Sequence, residues 1–281
     1  MQQLEDLIKK YELNQLSEIL NKIKMPCLYG NSNPCTATIG RSKLGGCPDL
    51  PQDFIWPEYN KSQLSFIAQI DLSETSHPLL PEKGIISFFY NNESWGFSPE
   101  DRGSARVFYF PDTSFLSRVE TPIKKEKYFF GFFEREARVQ EYTECGLEFE
   151  PGFSIPSFEH PLLAEHLSDD ADIDRYLEMK EEFNPIAQVF GYPDPVQGDS
   201  MQLECEMVNN GIYCGDETGF LDPRVKELEK GKNDWLLLLQ LTEDKNAQMY
   251  WGDAGILYFW IRKQDLANRN FANAWLIMQC C

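Results

Sequence analysis

An α+β fold with two related, mainly antiparallel β halves, an internal duplication, and with N-terminal and linking helices is what this chain predicts. The first observation behind it is a hydrophobic block that occurs twice: LSFIAQIDL (Leu64 to Leu72) followed by GIISFFY (Gly84 to Tyr90), and WLLLLQL (Trp235 to Leu241) followed by GILYFWI (Gly255 to Ile261). The second is spacing. Gln69 to Gly84 and Gln240 to Gly255 are each fifteen residues apart, so the blocks align without a gap, although residues 64–91 and 235–262 share only four identities. The third is context: a Gly-x-Pro-Asp turn precedes each block, and a strand led by alanine (Ala105 or Ala274) follows it. Halves related in this way pack about a pseudo-twofold axis. That would set the two glutamine strands near one another at the centre and make the cleft between the halves the default ligand site.

Taken in order, residues 2–22 carry Leu4, Leu7, Ile8, Tyr11, Leu16, Ile19 and Leu20 near helical spacing and predict one or two amphipathic helices. Pro26 and the stretch YGNSNPCTATIGRSKLGGCPDLP break that pattern and predict a long irregular segment. In Leu64 to Leu72, strict alternation would point Leu64, Phe66, Ala68, Ile70 and Leu72 one way and Ser65, Ile67, Gln69 and Asp71 the other. Gly84 to Tyr90 and Ala105 to Phe110 continue as a meander, and Lys127 to Phe133 and Ala137 to Tyr142 read as further strands. From Pro161 to Phe183 the composition is helical, interrupted at Ser168 to Asp170, where an N-cap fits. Residues 202–222 read as polar and irregular, Asp222-Pro223 starts a short helix through Leu228, Arg262 to Asn270 is a short helix, and Ala274 to Gln279 is the closing strand. The organisation is therefore an N-terminal helical segment (1–40), a first β-rich half (41–145), a loop and helical linker (146–190) and a second β-rich half (191–281).

Composition narrows the function. The chain has 26 basic and 45 acidic residues, a net charge of −19, which disfavours nucleic acid and anionic membrane surfaces as partners and favours a basic protein. The N-terminus lacks the apolar core of a secretion signal, and no apolar run approaches the roughly twenty residues a bilayer needs. A cytoplasmic protein with free thiols is expected. The eight cysteines contain no C-x-x-C, so no structural zinc site is expected, and the terminal Cys280-Cys281 reads as a strand end.

The segments GGCPDLPQDFIWP, LSFIAQIDL, GYPDPVQGD, LLLLQL, MYWGDAGILYFWI and WLIMQC, in that order, resemble the YwqG-like family of bacterial proteins over about residues 40–281. The resemblance implies one compact α+β domain over 40–281, an intracellular setting and no established enzymatic activity. Members also occur near polymorphic-toxin genes, which implies an immunity or partner-binding role.

Two candidate surfaces emerge. The first is a polar cleft built from Trp56, Gln69, Asp71, Asp194, Gln197, Asp199, Gln240, Trp251 and Asp253, where an aromatic ring beside a carboxylate suits a sugar or a cationic group. Against it stands the plainer reading that Gln69 and Gln240 fix backbone geometry and that Gly252 and Asp253 make a turn with Trp251 over the core. The second is an acidic docking face, Asp169, Asp170, Asp172 and Asp174, whose plainer reading is a solvated helix face. The histidines His77, His160 and His166 sit in no nucleophile motif, and G-x-S-x-G, P-loop and H-E-x-x-H patterns are absent. The expectation is a binding protein with no catalytic residue, cofactor or metal, acting on another protein and fitted to neutralise a basic toxin. The alternatives are small-molecule or carbohydrate binding between the halves, or a hydrolase using loop carboxylates.

Overall fold

The computed structural model of the protein describes residues 2–128, 133–137, 139–167 and 169–281. Ten strands form its main sheet: β1 (Met25–Asn33), β2 (Lys43–Leu44), β3 (Ser65–Asp71), β4 (Ile85–Tyr90), β5 (Ala105–Phe110), β6 (Cys145–Ser154), β7 (Ala187–Val189), β8 (Trp235–Leu241), β9 (Ile256–Arg262) and β10 (Trp275–Gln279). Their spatial order is β10-β9-β8-β7-β1-β6-β2-β3-β4-β5, every pairing is antiparallel, and the edge strands β5 and β10 come into contact, so the sheet nearly forms a barrel. Four helices matter below: α1 (Gln2–Lys10), α2 (Ser17–Ile23), α3 (Asp170–Glu181) and α4 (Met201–Asn209). The class is mixed helix and sheet with one large antiparallel sheet.

The two hydrophobic blocks fold as three-strand meanders at opposite ends of this sheet. In each, the pairing of the first two strands shifts register at the same point, between Phe66 and Ala68 in β3 and between Leu237 and Leu239 in β8. The bulge reverses which face the side chains occupy, because side-chain direction has a period of two. Leu64 and Phe66 pack with Trp56 and Phe89, whereas Ile67, Ala68, Ile70 and Leu72 join the cluster enclosed by the sheet. Strict alternation through Leu72 is therefore corrected. Trp235 and Leu237 divide in the same way from Leu238, Leu239 and Leu241. Phe88 and Phe259, equivalent in the ungapped alignment, meet edge to face inside with ring centres 5.0 Å apart. The glutamine strands are not neighbours, however: β7, β1, β6 and β2 lie between β8 and β3.

Of the expected irregular segment after Pro26, residues 34–42 are irregular, while 29–33 belong instead to β1, which is paired on both sides. Pro26 stands at its start, where a missing donor is tolerated, and Gly30 admits Phe149, Ala187 and Leu147, which an added Cβ would meet at 2.8–3.2 Å. The stretch taken as a linker supplies both strands that flank it, β6 and β7. Residues 202–222 are not irregular either, since α4 covers their first part. Its Glu206 is buried because Arg262 and the Trp235 indole bond its carboxylate at 2.7 and 2.8 Å. Of the predicted strand 127–133, residues 129–132 lie outside the described residues; Lys124–Tyr128 pairs with Phe133–Ala137 on either side of them. No strand covers 139–142, where Tyr142 turns into the core against Trp251. Helix α3 begins at Asp170, with Asp169 as its N-cap, and 161–166 is turn; Ser168 lies outside the described residues. Its Tyr176 and Met179 pack with Leu4, Ile8, Leu16 and Leu20 of the N-terminal segment. All eight cysteines are free thiols.

Candidate functional site

The loop from Phe190 to Asp199, FGYPDPVQGD, is anchored along its length to the second half of the sheet. Four adjacent strands each send one side chain to it. From β7, Gln188 Nε2 donates to the carbonyls of Phe190 (2.9 Å) and Tyr192 (2.7 Å). From β8, Gln240 Oε1 accepts the Asp194 N–H at 2.8 Å, and from β9 the Tyr258 hydroxyl donates to the Asp194 carbonyl at 2.6 Å. From β10, Gln279 Oε1 accepts the N–H groups of Val196 and Gln197, and its Nε2 donates to the Gly198 carbonyl. Buried amides in apolar strands need such partners, because an unsatisfied one costs about 1–3 kcal/mol.

So held, the loop separates three concavities and sends one predicted residue into each. Asp194 lines a groove of about 800 Å³ beside α3, with Phe158, Glu159, Leu177, Lys180, Glu181 and Phe183. Gln197 lines an open hollow of about 670 Å³ with Tyr59, Trp95, Asp101 and Tyr213. Asp199 lines a cleft of about 620 Å³ whose walls include Phe190, Trp235, Leu237 and Trp260. The three residues predicted to share one cleft are thus distributed over three.

The remaining candidates of that set are structural. Gln69 is fully buried: its Oε1 accepts the Asp49 N–H at 2.9 Å, and its Nε2 donates to Asp49 Oδ2 and the Arg41 carbonyl. Asp71 caps a 3₁₀ turn by accepting the Ser73 N–H and pairs with Arg41 at 3.2 Å. Trp56 is buried, its indole donating to the Leu64 carbonyl, and Trp251 is a core residue between Tyr90 and Tyr142 whose indole donates to the Thr242 carbonyl. Asp253 is an exposed turn residue whose carbonyl takes the Cys281 N–H. A shared first-half and second-half cleft is not formed by these residues.

On α3 the acidic face differs from the expected one by one residue. Asp172 is buried and pairs with Arg175, one turn along, so it faces away from solvent. The outward stripe is Asp170, Asp174, Leu177, Glu178 and Glu181, at i, i+4, i+7, i+8 and i+11, with Asp169 exposed at the cap. Among the described residues no cation pairs with Asp170, Asp174, Glu178 or Glu181, and Leu177 is 42% exposed in their midst. Leu177 and Glu181 also form a wall of the α3 groove, where Lys180 is neutralised by Asp194 at 3.0 Å.

The cleft at Asp199 gathers groups that no motif announced. His77 and His160 both line it, and each accepts the N–H of the residue two further on at its Nδ1, at 3.3 Å, leaving Nε2 to carry the ring proton. Burial lowers the pKa of both rings, for His77 against the opposing effect of the Pro26 carbonyl. His77 stacks on Phe190 with ring centres 4.4 Å apart. Burial pushes the Asp199 carboxyl up to about 6, with Glu159 adding to the rise and Lys180 and Lys232 opposing it. Trp260 is 2% exposed, and its indole N–H is buried without a partner among the described residues. The local signal for the histidines is the tetrapeptide His-Pro-Leu-Leu, present at His77–Leu80 and again at His160–Leu163. Nothing local signals Lys232, Lys263 or Trp260.

Among the described residues, no group of three or more His, Cys, Asp or Glu is placed to hold a metal ion, and no helix is long and apolar enough to cross a membrane. A family model described as Domain of unknown function (DUF1963) matches residues 42–280. No curated protein matches the chain at a significant level.

Proposed function

The chain belongs to the DUF1963 domain family, and from that premise we propose that it is a recognition protein that docks a basic protein partner along α3. One observation carries this reading: the outward stripe Asp170, Asp174, Glu178 and Glu181 holds four carboxylates that no cation pairs among the described residues, around an exposed Leu177, and it borders the groove of about 800 Å³ beside α3. An apolar residue inside a one-sign patch is what a docked helix or loop needs, with burial for affinity and complementary charge for encounter rate and partner choice. Neutralisation of a basic toxin is the finer form of this reading, and it rests on the resemblance to the YwqG-like proteins. Descent of the two meanders from one duplicated unit is supported by the matched bulges and by the Phe88–Phe259 contact.

Affinity capture from the native cell with the wild type and with the triple variant Asp170→Lys, Asp174→Lys, Glu178→Lys tests the docking face. The expected result is a basic protein retained by the wild type, lost from the variant, and released as salt rises from about 50 to 300 mM, where the screening length shortens to well under 10 Å. A captured set that the charge reversal leaves unchanged would overturn the reading.

A further inference from the structure

The cleft at Asp199 is at odds with the charge of the chain. In a protein of net charge −19, its lining holds two lysines, Lys232 and Lys263, against the single carboxylate of Asp199. Among the described residues neither lysine forms an ion pair, although acids are abundant elsewhere on the surface. The deeper wall is aromatic and aliphatic, and the buried Trp260 indole N–H in that wall has no acceptor among the described residues. Trp235 next to it shows the contrast, since its indole is satisfied by Glu206 at 2.8 Å. Two cations thus stand against a single carboxylate in a largely apolar cavity of about 620 Å³, a size that suits one small molecule.

We propose that this cleft binds a small amphipathic anion, an aromatic or aliphatic body bearing a carboxylate, sulfonate or phosphate, with Lys232 and Lys263 taking the head and the accessible apolar lining of Met25, Leu79 and Leu236 taking the body. Apolar burial supplies most of the affinity, and the two cations supply the preference for charge. The site is separate from the α3 stripe and does not depend on it.

Fluorescence titration of the full chain with 8-anilinonaphthalene-1-sulfonate, compared with the uncharged N-phenyl-1-naphthylamine, reads both parts. The sulfonate is expected to saturate one site and to bind roughly tenfold more tightly than the neutral probe. In the double variant Lys232→Ala, Lys263→Ala that preference should fall to about twofold or less while the neutral probe keeps its affinity, and Asp199→Asn should tighten the sulfonate by about threefold. Both sets of substitutions lie at the accessible part of the lining and leave the core packing intact. Equal affinity for the two probes in the wild type, the absence of a saturable single site, or a sulfonate affinity unchanged by loss of both lysines would each overturn the proposal.

Discussion

The loops that follow β2 and β7 occupy matching places in the sheet, and they do opposite things. Both begin with two residues of positive φ, Gly45 and Gly46 at 56° and 65°, Phe190 and Gly191 at 61° and 82°, and both reach Pro-Asp three residues later. In both, a strand glutamine accepts the aspartate N–H, Gln69 from Asp49 and Gln240 from Asp194. The residue paired across from that glutamine is Lys43 in the first half and Gln188 in the second. Each of these bonds a loop carbonyl at the matching position, Cys47 or Tyr192. The cations around the aspartate make the difference. With Lys43 and Arg118 on hand, Asp49 turns inward and is fully buried, and Glu144 completes a closed ionic network. With an amide in that place, Asp194 turns out to a side-chain exposure of 58% and pairs with Lys180. Whether such a loop seals its end of the sheet or opens grooves there goes with the cations that meet its aspartate, Arg118 at 2.8 Å and Lys43 at 3.8 Å in the first half.

The sharpest way to break this comparison is to delete each aspartate. Asp49→Ala leaves Lys43 buried beside Glu144 alone and is expected to cost about 3–5 kcal/mol, the usual loss when one member of a buried pair is removed. Asp194→Ala removes an exposed pair and is expected to cost under about 1 kcal/mol. Urea denaturation midpoints with unchanged slopes check both, and equal losses would refute the division into a sealed and an open loop. Next in size is Gly45→Ala, at about 2–3 kcal/mol. A Cβ there would meet the Thr143 carbonyl oxygen at 2.5 Å as well as a positive φ. Phe190 tolerates the same φ because its buried ring stacks on His77.

Both meanders are legible in the sequence because their short aliphatic and aromatic runs, separated by turn residues, read as strands. The centre of the sheet is not. β1, MPCLYGNSN, has proline, glycine and two asparagines, and it becomes a strand because β6 and β7 satisfy its backbone on both edges, a tertiary fact absent from local composition. Helix α4 hides for a related reason: Glu204 and Glu206 look like solvent residues until Ser200, Arg262 and Trp235 are placed around them. The turn chemistry of GYPDPVQGD marks a loop with polar groups to present, which locates Asp194, Gln197 and Asp199. Their separation into three concavities follows from anchors more than forty residues away, at Gln240, Tyr258 and Gln279, which no local pattern encodes.

The two glutamines sharpen the comparison at a smaller scale. Gln69→Leu leaves the N–H of a fully buried aspartate without an acceptor and removes a donor from its carboxylate, an expected loss of about 2–3 kcal/mol. Gln240→Leu frees the N–H of an exposed residue that water can reach, an expected loss of about 1 kcal/mol. The second variant should also raise amide exchange at Asp194 while β8 stays protected, and unchanged exchange there would show that the loop is held by its other anchors.

The smallest expected effect is one of sign. Asp49 is held below its ordinary pKa: burial works against ionisation, but Arg118, the Gly40 N–H, Lys43 and Gln69 outweigh it. Its folded form binds fewer protons than the unfolded chain, so the stability it contributes is present above the unfolded carboxylate range near 4 and is lost as pH falls through the lower folded value. Asp199 is shifted up to about 6, so between about 4 and 6 the folded form binds more protons, and stability falls as pH rises through that window. Asp199→Asn should therefore match the wild type at pH 4 and exceed it at pH 7, by less than about 1 kcal/mol because the side chain stays open to solvent. Thermal midpoints for the pair at the two pH values decide it. A difference that does not change with pH would mean that solvent along the cleft cancels the burial of Asp199, and that the open loop carries no titrating charge of its own.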